Sequence, residues 1–209
     1  MLAAIAHAVM TALYPDLSIE HSWDGISYNV QDGAGTRGTI TFHDVVTVAA
    51  FRNECSSRLH NGDLTQTVQK SLLNTPPAVH EVAVSETLQY LLDEVEGQTI
   101  PLITSLFYGV KDDFESNDKI EDLLKHCVDI IETQRLGCTD EAFKSWQDYY
   151  EMTQAQSDLV LSLYQRKVLN PEIEIILTHE ETNHIGMEKA EGIEECRESL
   201  AELGIISPA

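Results

Sequence analysis

The period of the hydrophobic pattern changes from 2 to 3.6 at Thr75-Pro76-Pro77, and this change limits the folds open to the chain. Before this point, residues 17–52 read as strands, whereas apolar residues beyond it recur at helical spacing. The sequence therefore predicts an α+β fold, in which an N-terminal helix and a small antiparallel meander precede a mainly helical C-terminal region packed against them. We expect residues 1–76 and 77–209 to form these two parts of one continuous domain.

The N-terminal part is predicted to contain one helix and three or four strands. Residues 1–13 have apolar side chains at helical spacing, without the positive stretch that begins a signal peptide. Asp24-Gly25 is typical of a two-residue hairpin turn. Residues 45–52 fit either a strand that is apolar on both faces or the start of a helix, and we favour the strand. The predicted strands cover residues 18–23, 26–31, 39–42 and 45–52.

Beyond residue 76 the pattern predicts a series of amphipathic helices. One has Thr75 as its N-cap, with proline in its first turn, and stops at Gly97, and the clearest begins near Asp118. The segment 100–110 is too apolar for a surface loop, and its pattern leaves strand and helix open. The helix near Asp118 is expected to bury one stripe of side chains: Ile120, Leu123, Leu124, Cys127, Val128 and Ile131.

Acidic residues are concentrated beyond residue 76. The chain has 35 Asp+Glu and 13 Lys+Arg, a formal charge of −22. Residues 1–76 contribute −3 (7 acids, 4 bases), and residues 77–209 contribute −19 (28 acids, 9 bases). Such a field repels nucleic acid and anionic membranes and attracts basic proteins or cations.

The remaining composition favours a folded cytoplasmic protein. A hydrophobic content of 43% is enough for a core, so the charge does not indicate disorder. The 4 cysteines are widely spaced, which is typical of unpaired thiols in a reducing compartment. No apolar run reaches the roughly 18 residues of a membrane span.

The segment Gly33-Ala34-Gly35-Thr36-Arg37-Gly38 matches the pattern GxGxxG. In dinucleotide-binding folds this loop opens a helix, whereas here a strand is expected to follow. A kinase would also require a strand lysine, a catalytic loop and a DFG metal ligand, and none is present. We interpret these glycines as residues of a hairpin loop, where positive φ is needed.

The segment His179-Glu180-Glu181-Thr182-Asn183-His184 superficially resembles the zincin motif HExxH. Its histidines are five residues apart, and a shared helical face requires four. If a helix from Pro171 continued through this segment, its side chains could form a cation site. The candidate ligands are Glu180, Glu181, His184 and Glu188.

No cysteine has a clearly cationic neighbourhood and no GxSxG elbow is present, so the sequence predicts a protein without catalytic residues or cofactor. The acids between residues 112 and 132 are expected on an exposed face opposite the apolar stripe. The candidate partner-binding residues are Asp112, Asp113, Glu115, Asp118, Glu121, Asp122, Asp129 and Glu132.

These features favour an immunity or inhibitor protein that neutralises a basic toxin or effector by electrostatically steered binding. A solubilising acidic surface would give the same composition. Two other hypotheses stay open. One is an acidic chaperone or adaptor for a secreted effector, which would bind through the apolar strand Val45–Phe51. The other is a metal-binding helical protein that uses the residues between His179 and Glu188.

Overall fold

The protein is described by a computed structural model, which covers residues 1–60, 64–111, 113–126, 128–131, 139–187 and 191–208. The described chain contains both helices and strands, which confirms the mixed fold class. It forms two compact units: unit 1 consists of Met1–Ser22 and Glu132–Ala209, and unit 2 consists of Trp23–Ile131. The units thus divide the chain differently from the boundary at residue 76 that the sequence predicts.

Unit 2 is built on an antiparallel six-stranded sheet with the order β1-β2-β3-β4-β7-β8. The meander is larger than the predicted three or four strands, because β4 pairs with β7 at Ala49↔Phe107 and so recruits residues from beyond position 76. The region after residue 76 is correspondingly less helical than predicted. The strands are β1 (His21–Asp24, which starts at the end of unit 1), β2 (Ser27–Gln31), β3 (Arg37–Phe42), β4 (Thr47–Arg52), β7 (Ser105–Val110) and β8 (Asp113–Glu115).

Two of the strand predictions can be compared directly with the sheet. The segment favoured as a strand at 45–52 is β4, in the interior of the sheet. The first strand is shorter than predicted, because Pro15 begins a 3₁₀ helix (Pro15–Glu20) that occupies the first half of the expected range. The hairpin turn after β1 places Gly25 at φ +58°, a conformation that favours glycine.

The other elements of unit 2 surround this sheet. The helix expected to reach Gly97 ends at Ser85, because residues 92–95 pair as a strand whose turn has positive φ at Glu96 and Gly97. The segment 100–110, whose sequence pattern fits either a strand or a helix, forms parts of two strands. The elements are α2 (Ser57–His60), α3 (Leu64–Ser71), α4 (Pro77–Ser85), a 3₁₀ helix (Thr87–Leu91), β5 (Leu92–Val95), β6 (Gln98–Pro101), α5 (Ile120–His126) and a 3₁₀ helix (Val128–Ile131).

The core of unit 2 lies between β4, β7, α4 and the 3₁₀ helix that follows α4. Apolar side chains from strands of period 2 and helices of period 3.6 meet there, which explains why both patterns are strong in the sequence. The buried residues include Val48, Ala50, Val79, Ala83, Leu91, Ile103 and Leu106.

Unit 1 is mainly helical, and it is built from the N-terminal and the C-terminal segments of the chain. The predicted N-terminal helix is α1, in which every residue from Ala3 to Met10 is buried. It packs against α7 and α9. The elements are α1 (Leu2–Met10), the 3₁₀ helix Pro15–Glu20, α6 (Thr139–Tyr150), α7 (Gln154–Leu169), β9 (Ile175–Ile176), α8 (His179–Ile185), α9 (Ile193–Glu202) and β10 (Ile205–Ile206). Within the described residues, no helix has the length and apolarity needed to cross a membrane.

Candidate functional site

The described members of the predicted partner-binding set are found in unit 2, in and beside a short connection between β8 and α5. Asp113 and Glu115 are exposed on β8, at the edge of the sheet. In α5, Glu121 is exposed and Asp122 is half-buried. Asp112 and Glu132 lie outside the described residues, as does the side chain of Asp129.

Asp118 is engaged inside the protein by an ion pair. Of its four described neighbours in the predicted set, Glu115 also has an internal contact, because its Oε2 accepts a hydrogen bond from the hydroxyl of Tyr108 at 2.7 Å. The carboxylate of Asp118 accepts two hydrogen bonds from Arg58, with Nη1–Oδ2 at 2.6 Å and Nη2–Oδ1 at 2.9 Å. The same Nη1 donates to the carbonyl oxygen of Thr104 at 2.6 Å. A bidentate, mostly buried pair of this kind fixes both side chains. This ion pair therefore removes Asp118 from the partner-binding set.

The residues next to Asp118 also hold the connection in place. The hydroxyl of Ser116 donates to the carbonyl oxygen of Leu106 at 2.6 Å. The side-chain amide of Asn117 lies 2.9 Å from three carbonyl oxygens near the end of α3, those of Lys70, Ser71 and Leu73. Three consecutive side chains thus anchor the connection, and the exposed acids on either side are presented from a fixed backbone.

Apolar side chains are exposed among these acids. Phe114 is 68% exposed, and on α5 Ile120 and Leu124 are 60% and 42% exposed. The sequence predicts Ile120 and Leu124 in a buried stripe with Leu123, but only Leu123 of these three is buried. The stripe is interrupted because α5 ends at His126, after two turns. An aromatic ring on β8 and two aliphatic side chains on α5 are therefore exposed in the same two elements as these acids.

The glycine-rich segment forms the hairpin loop between β2 and β3, and two of its backbone N–H groups donate hydrogen bonds to a side chain within the loop. The carboxylate of Asp32 accepts from the N–H groups of Ala34 at 2.8 Å and Thr36 at 2.9 Å. A phosphate would need such N–H groups for itself and would be repelled by the carboxylate. Gly38 has a packing role, because a Cβ there would overlap the ring of Phe51.

The described members of the predicted cation site between residues 179 and 188 do not form a group of ligands. Glu181 caps α8 with Thr178 and also accepts from Arg166 Nη1 at 2.6 Å. Glu180 and His184 are exposed, and among the described residues these side chains form no group of three potential ligands. The helix expected from Pro171 does not form, since β9 precedes a helix that begins only at His179. Glu188 lies outside the described residues.

A different cluster of potential ligands occurs in unit 1. One ligand atom from each of His7, Glu20 and His21 lies within 4.8 Å of the other two. His7 comes from α1, whereas Glu20 and His21 follow each other where the 3₁₀ helix meets β1. His7 is buried, and the other two are half-buried. The rings of His7 and His21 are separated by 4.3 Å between centroids.

Burial keeps both of these imidazoles uncharged. Loss of hydration lowers the pKa of His7 to about 4, and a weak interaction with the backbone of Leu17 acts in the opposite direction. Loss of hydration also lowers the pKa of His21 well below its ordinary value, and the nearby His7 adds to this effect. Both rings are therefore neutral at physiological pH, the form in which imidazole binds a metal ion.

Sequence reasoning missed this cluster, although one signal for part of it was present. His7 is the single polar side chain of the apolar helix LAAIAHAVM, and a polar residue inside a wholly buried helix needs a partner. Nothing in the sequence pairs it with positions 20 and 21. Comparison of the chain with protein-family models, with curated proteins and with solved structures found no match.

Proposed function

We propose that this chain is a non-enzymatic acidic binding protein, which captures a basic protein such as a toxin or effector in the cytoplasm. The surface involved, called here the acidic surface, consists of β8 and the exposed part of α5. The observation that carries the proposal is the combination of exposed acids with exposed apolar side chains on an anchored backbone. Its members are Asp113, Phe114, Glu115, Ile120, Glu121, Asp122 and Leu124.

Each part of the acidic surface has a distinct physical role in binding. The carboxylates accelerate encounter with a basic partner and discriminate against acidic ones. Phe114, Ile120 and Leu124 supply apolar area, which charge alone does not provide, and an aromatic residue is a common energetic centre of an interface. Because Ser116, Asn117 and Asp118 fix the connection, binding requires little further ordering of the backbone.

A purely solubilising surface would not need this arrangement. Acids that serve only to keep a protein soluble can be scattered over its surface. Exposed aromatic side chains among them would lower the solubility. Phe114 is 68% exposed although its ring contacts Phe107 at 6.2 Å between centroids. We take this exposure as support for a recognition role.

The chaperone alternative has less support from the fold. It requires the strand Val45–Phe51 as an apolar docking surface, but Val48, Ala49, Ala50 and Phe51 are completely buried between β3 and β7. Val45 alone of the apolar side chains in that strand is largely exposed, at 58%. We therefore retain the hypothesis that the protein binds a basic partner through its acidic surface.

The first experiment identifies the partner by position-specific cross-linking in the native cell. A benzoylphenylalanine at position 114 should cross-link one basic protein, whereas the same group at the exposed Leu169 of unit 1 should not. The cross-linked protein is then purified and its binding to the intact chain is measured. The proposal would be contradicted if both positions cross-linked equally, or if the cross-linked partner were an acidic protein.

The second experiment uses charge reversal with a matched control. Asp113→Lys, Glu121→Lys and Asp122→Lys together should abolish binding and its salt dependence. The control is the triple variant Glu172→Lys, Glu174→Lys and Glu198→Lys, which changes three exposed acids of unit 1 and the net charge by the same amount. If both triple variants bind equally weakly, the overall field is responsible and the acidic surface is not the site.

A further inference from the structure

The cluster of His7, Glu20 and His21 contains a buried polar atom that the protein does not satisfy. Nε2 of His7 has no hydrogen-bond partner among the described residues, although His7 is only 1% exposed. The backbone of Leu17 lies close enough to affect the ring, but no hydrogen bond of normal geometry reaches Nε2. Buried polar groups in native proteins are nearly always paired, so this atom requires an explanation.

The other ring nitrogen of His7 is already committed. Nδ1 lies 3.1 Å from the hydroxyl of Tyr150, at hydrogen-bonding distance. In the tautomer that carries the proton on Nδ1, this contact orients the ring and leaves the lone pair of Nε2 in the plane of the imidazole. Histidines that bind metal ions characteristically have such a partner on the second nitrogen.

The carboxylate of the cluster has a similar support. The hydroxyl of Tyr149 donates to Oε1 of Glu20 at 3.3 Å. Two consecutive tyrosines at the end of α6 thus contact two of the three potential ligands. Supporting contacts of this kind hold ligands in place before a metal ion arrives.

We propose that His7, Glu20 and His21 bind one divalent transition-metal ion, for which Zn²⁺ fits best, with His7 coordinating through Nε2. Two imidazoles and one carboxylate are a ligand set that Zn²⁺ accepts, and the same set also binds Fe²⁺. Hard cations such as Mg²⁺ and Ca²⁺ prefer oxygen ligands and are disfavoured here. The ion links α1 to the start of β1, and three protein ligands leave one coordination position for water.

The test uses the full-length protein stripped with a chelator, and Zn²⁺ alone as the probe. Calorimetric or competition titration should show one tightly bound equivalent. Glu20→Gln and His21→Ala should each weaken binding by more than the 10- to 100-fold that loss of an outer partner typically costs. Tyr150→Phe should keep the stoichiometry and weaken binding within that 10- to 100-fold range. Co²⁺ in place of Zn²⁺ should give visible absorption bands that disappear in His21→Ala.

A matched control separates this site from adventitious binding to an acidic protein. Glu180→Gln with His184→Ala alters the exposed histidine and glutamate of α8, so it should leave the bound equivalent unchanged. If the titration shows no tightly bound Zn²⁺ ion per chain, the proposal is overturned. Binding that persists in both Glu20→Gln and His21→Ala, or that is lost in the α8 variant instead, would also overturn it.

A second readout needs no variant of the buried helix. In ¹⁵N spectra of the histidine side chains of the wild-type protein, Zn²⁺ should shift Nε2 of His7 and one ring nitrogen of His21, and no others. Unchanged His7 and His21 signals at saturating Zn²⁺ would refute the assignment even if the Glu20 and His21 variants failed to fold. The acidic surface of unit 2 contributes no ligand, so the metal proposal and the proposed function can fail independently.

Discussion

Gly38→Ala should destabilise unit 2 although it adds only one methyl group. Gly38 in β3 pairs with Phe51 in β4, and a Cβ at this position would overlap one ring carbon and lie 2.6 Å from Cε1 of Phe51. Carbon atoms in contact are normally about 3.5–4.0 Å apart, so the ring must move by about 1 Å. It has little room to do so, because Phe51 is completely buried and stacks on Phe107 at 5.9 Å.

The size of the effect follows from two opposing terms. Overpacking a buried site costs about 1–3 kcal/mol, and a fully buried aromatic ring belongs in the upper part of that range. Replacing glycine by alanine recovers about 0.4–1 kcal/mol by restricting the unfolded chain. We therefore expect a net loss of about 2 kcal/mol in the free energy of unfolding.

Gly33→Ala is the matched control in the same loop motif. Its Cβ would meet no atom within 4 Å, and its φ is not in the left-handed region. It should be neutral or stabilise unit 2 by less than about 1 kcal/mol.

Urea unfolding followed by tryptophan fluorescence measures this difference. The chain has 2 tryptophans, and Trp146→Phe leaves Trp23 of unit 2 as the reporter. All variants are compared in that background. Equal stability of Gly38→Ala and the parent, or an equal loss in Gly33→Ala, would refute the packing argument. Phe51→Leu, which replaces the aromatic ring by a smaller aliphatic side chain, should reduce the penalty of Gly38→Ala.

Three other predictions concern charge and protonation. Asp118→Asn should lower the stability of unit 2 by about 2 kcal/mol in urea unfolding, because it leaves the mostly buried Arg58 without a charged partner. In chelator, stability should fall as the pH drops from about 6.5 towards 4, because the unfolded chain takes up protons that His7 and His21 do not bind in the folded protein. The contribution of His7 alone approaches about 3 kcal/mol, so His7→Gln should make this part of the pH profile less steep, and the contribution of His21 should remain. Burial raises the pKa of Cys196 to about 12, so peptide mapping after alkylation should find the exposed Cys55 modified in the native protein and Cys196 only after unfolding.

The local elements were the most predictable part of the fold. The helix α1, the hairpin with Gly25 and the strand β4 follow from periodicity and turn residues, which are properties of neighbouring positions. The pairing of β4 with β7 was not predictable in this way, because residues 53–104 separate the two strands in the chain. The pairing of strands that are distant in the chain depends on which strand edge is free to accept a new strand. The residues next to each other in the sequence do not determine this.

The candidate sites show the same limit. The acidic segment was visible as composition, but the engagement of Asp118 by Arg58 depends on a residue 60 positions away. The exposure of Ile120 and Leu124 was missed because helical periodicity assumes a helix long enough to present a continuous face. The cluster around His7 requires three elements to meet, so only the isolated polar residue could have indicated it.

The composition of unit 1 from two separated segments implies an order of events during synthesis. α1 is made before unit 2, whereas α7 and α9, which cover it, are made afterwards. Unit 2 can complete its contacts from consecutive residues, whereas unit 1 must bring together the chain on both sides of residues 23–131. While those residues are still unfolded, closing a flexible loop of that length costs on the order of 4 kcal/mol in entropy, and prior folding of unit 2 removes this flexible loop. A nascent chain that stops before Gln154 would leave the apolar helix α1 without both helices that cover it, so premature termination there should yield aggregates even after unit 2 has folded.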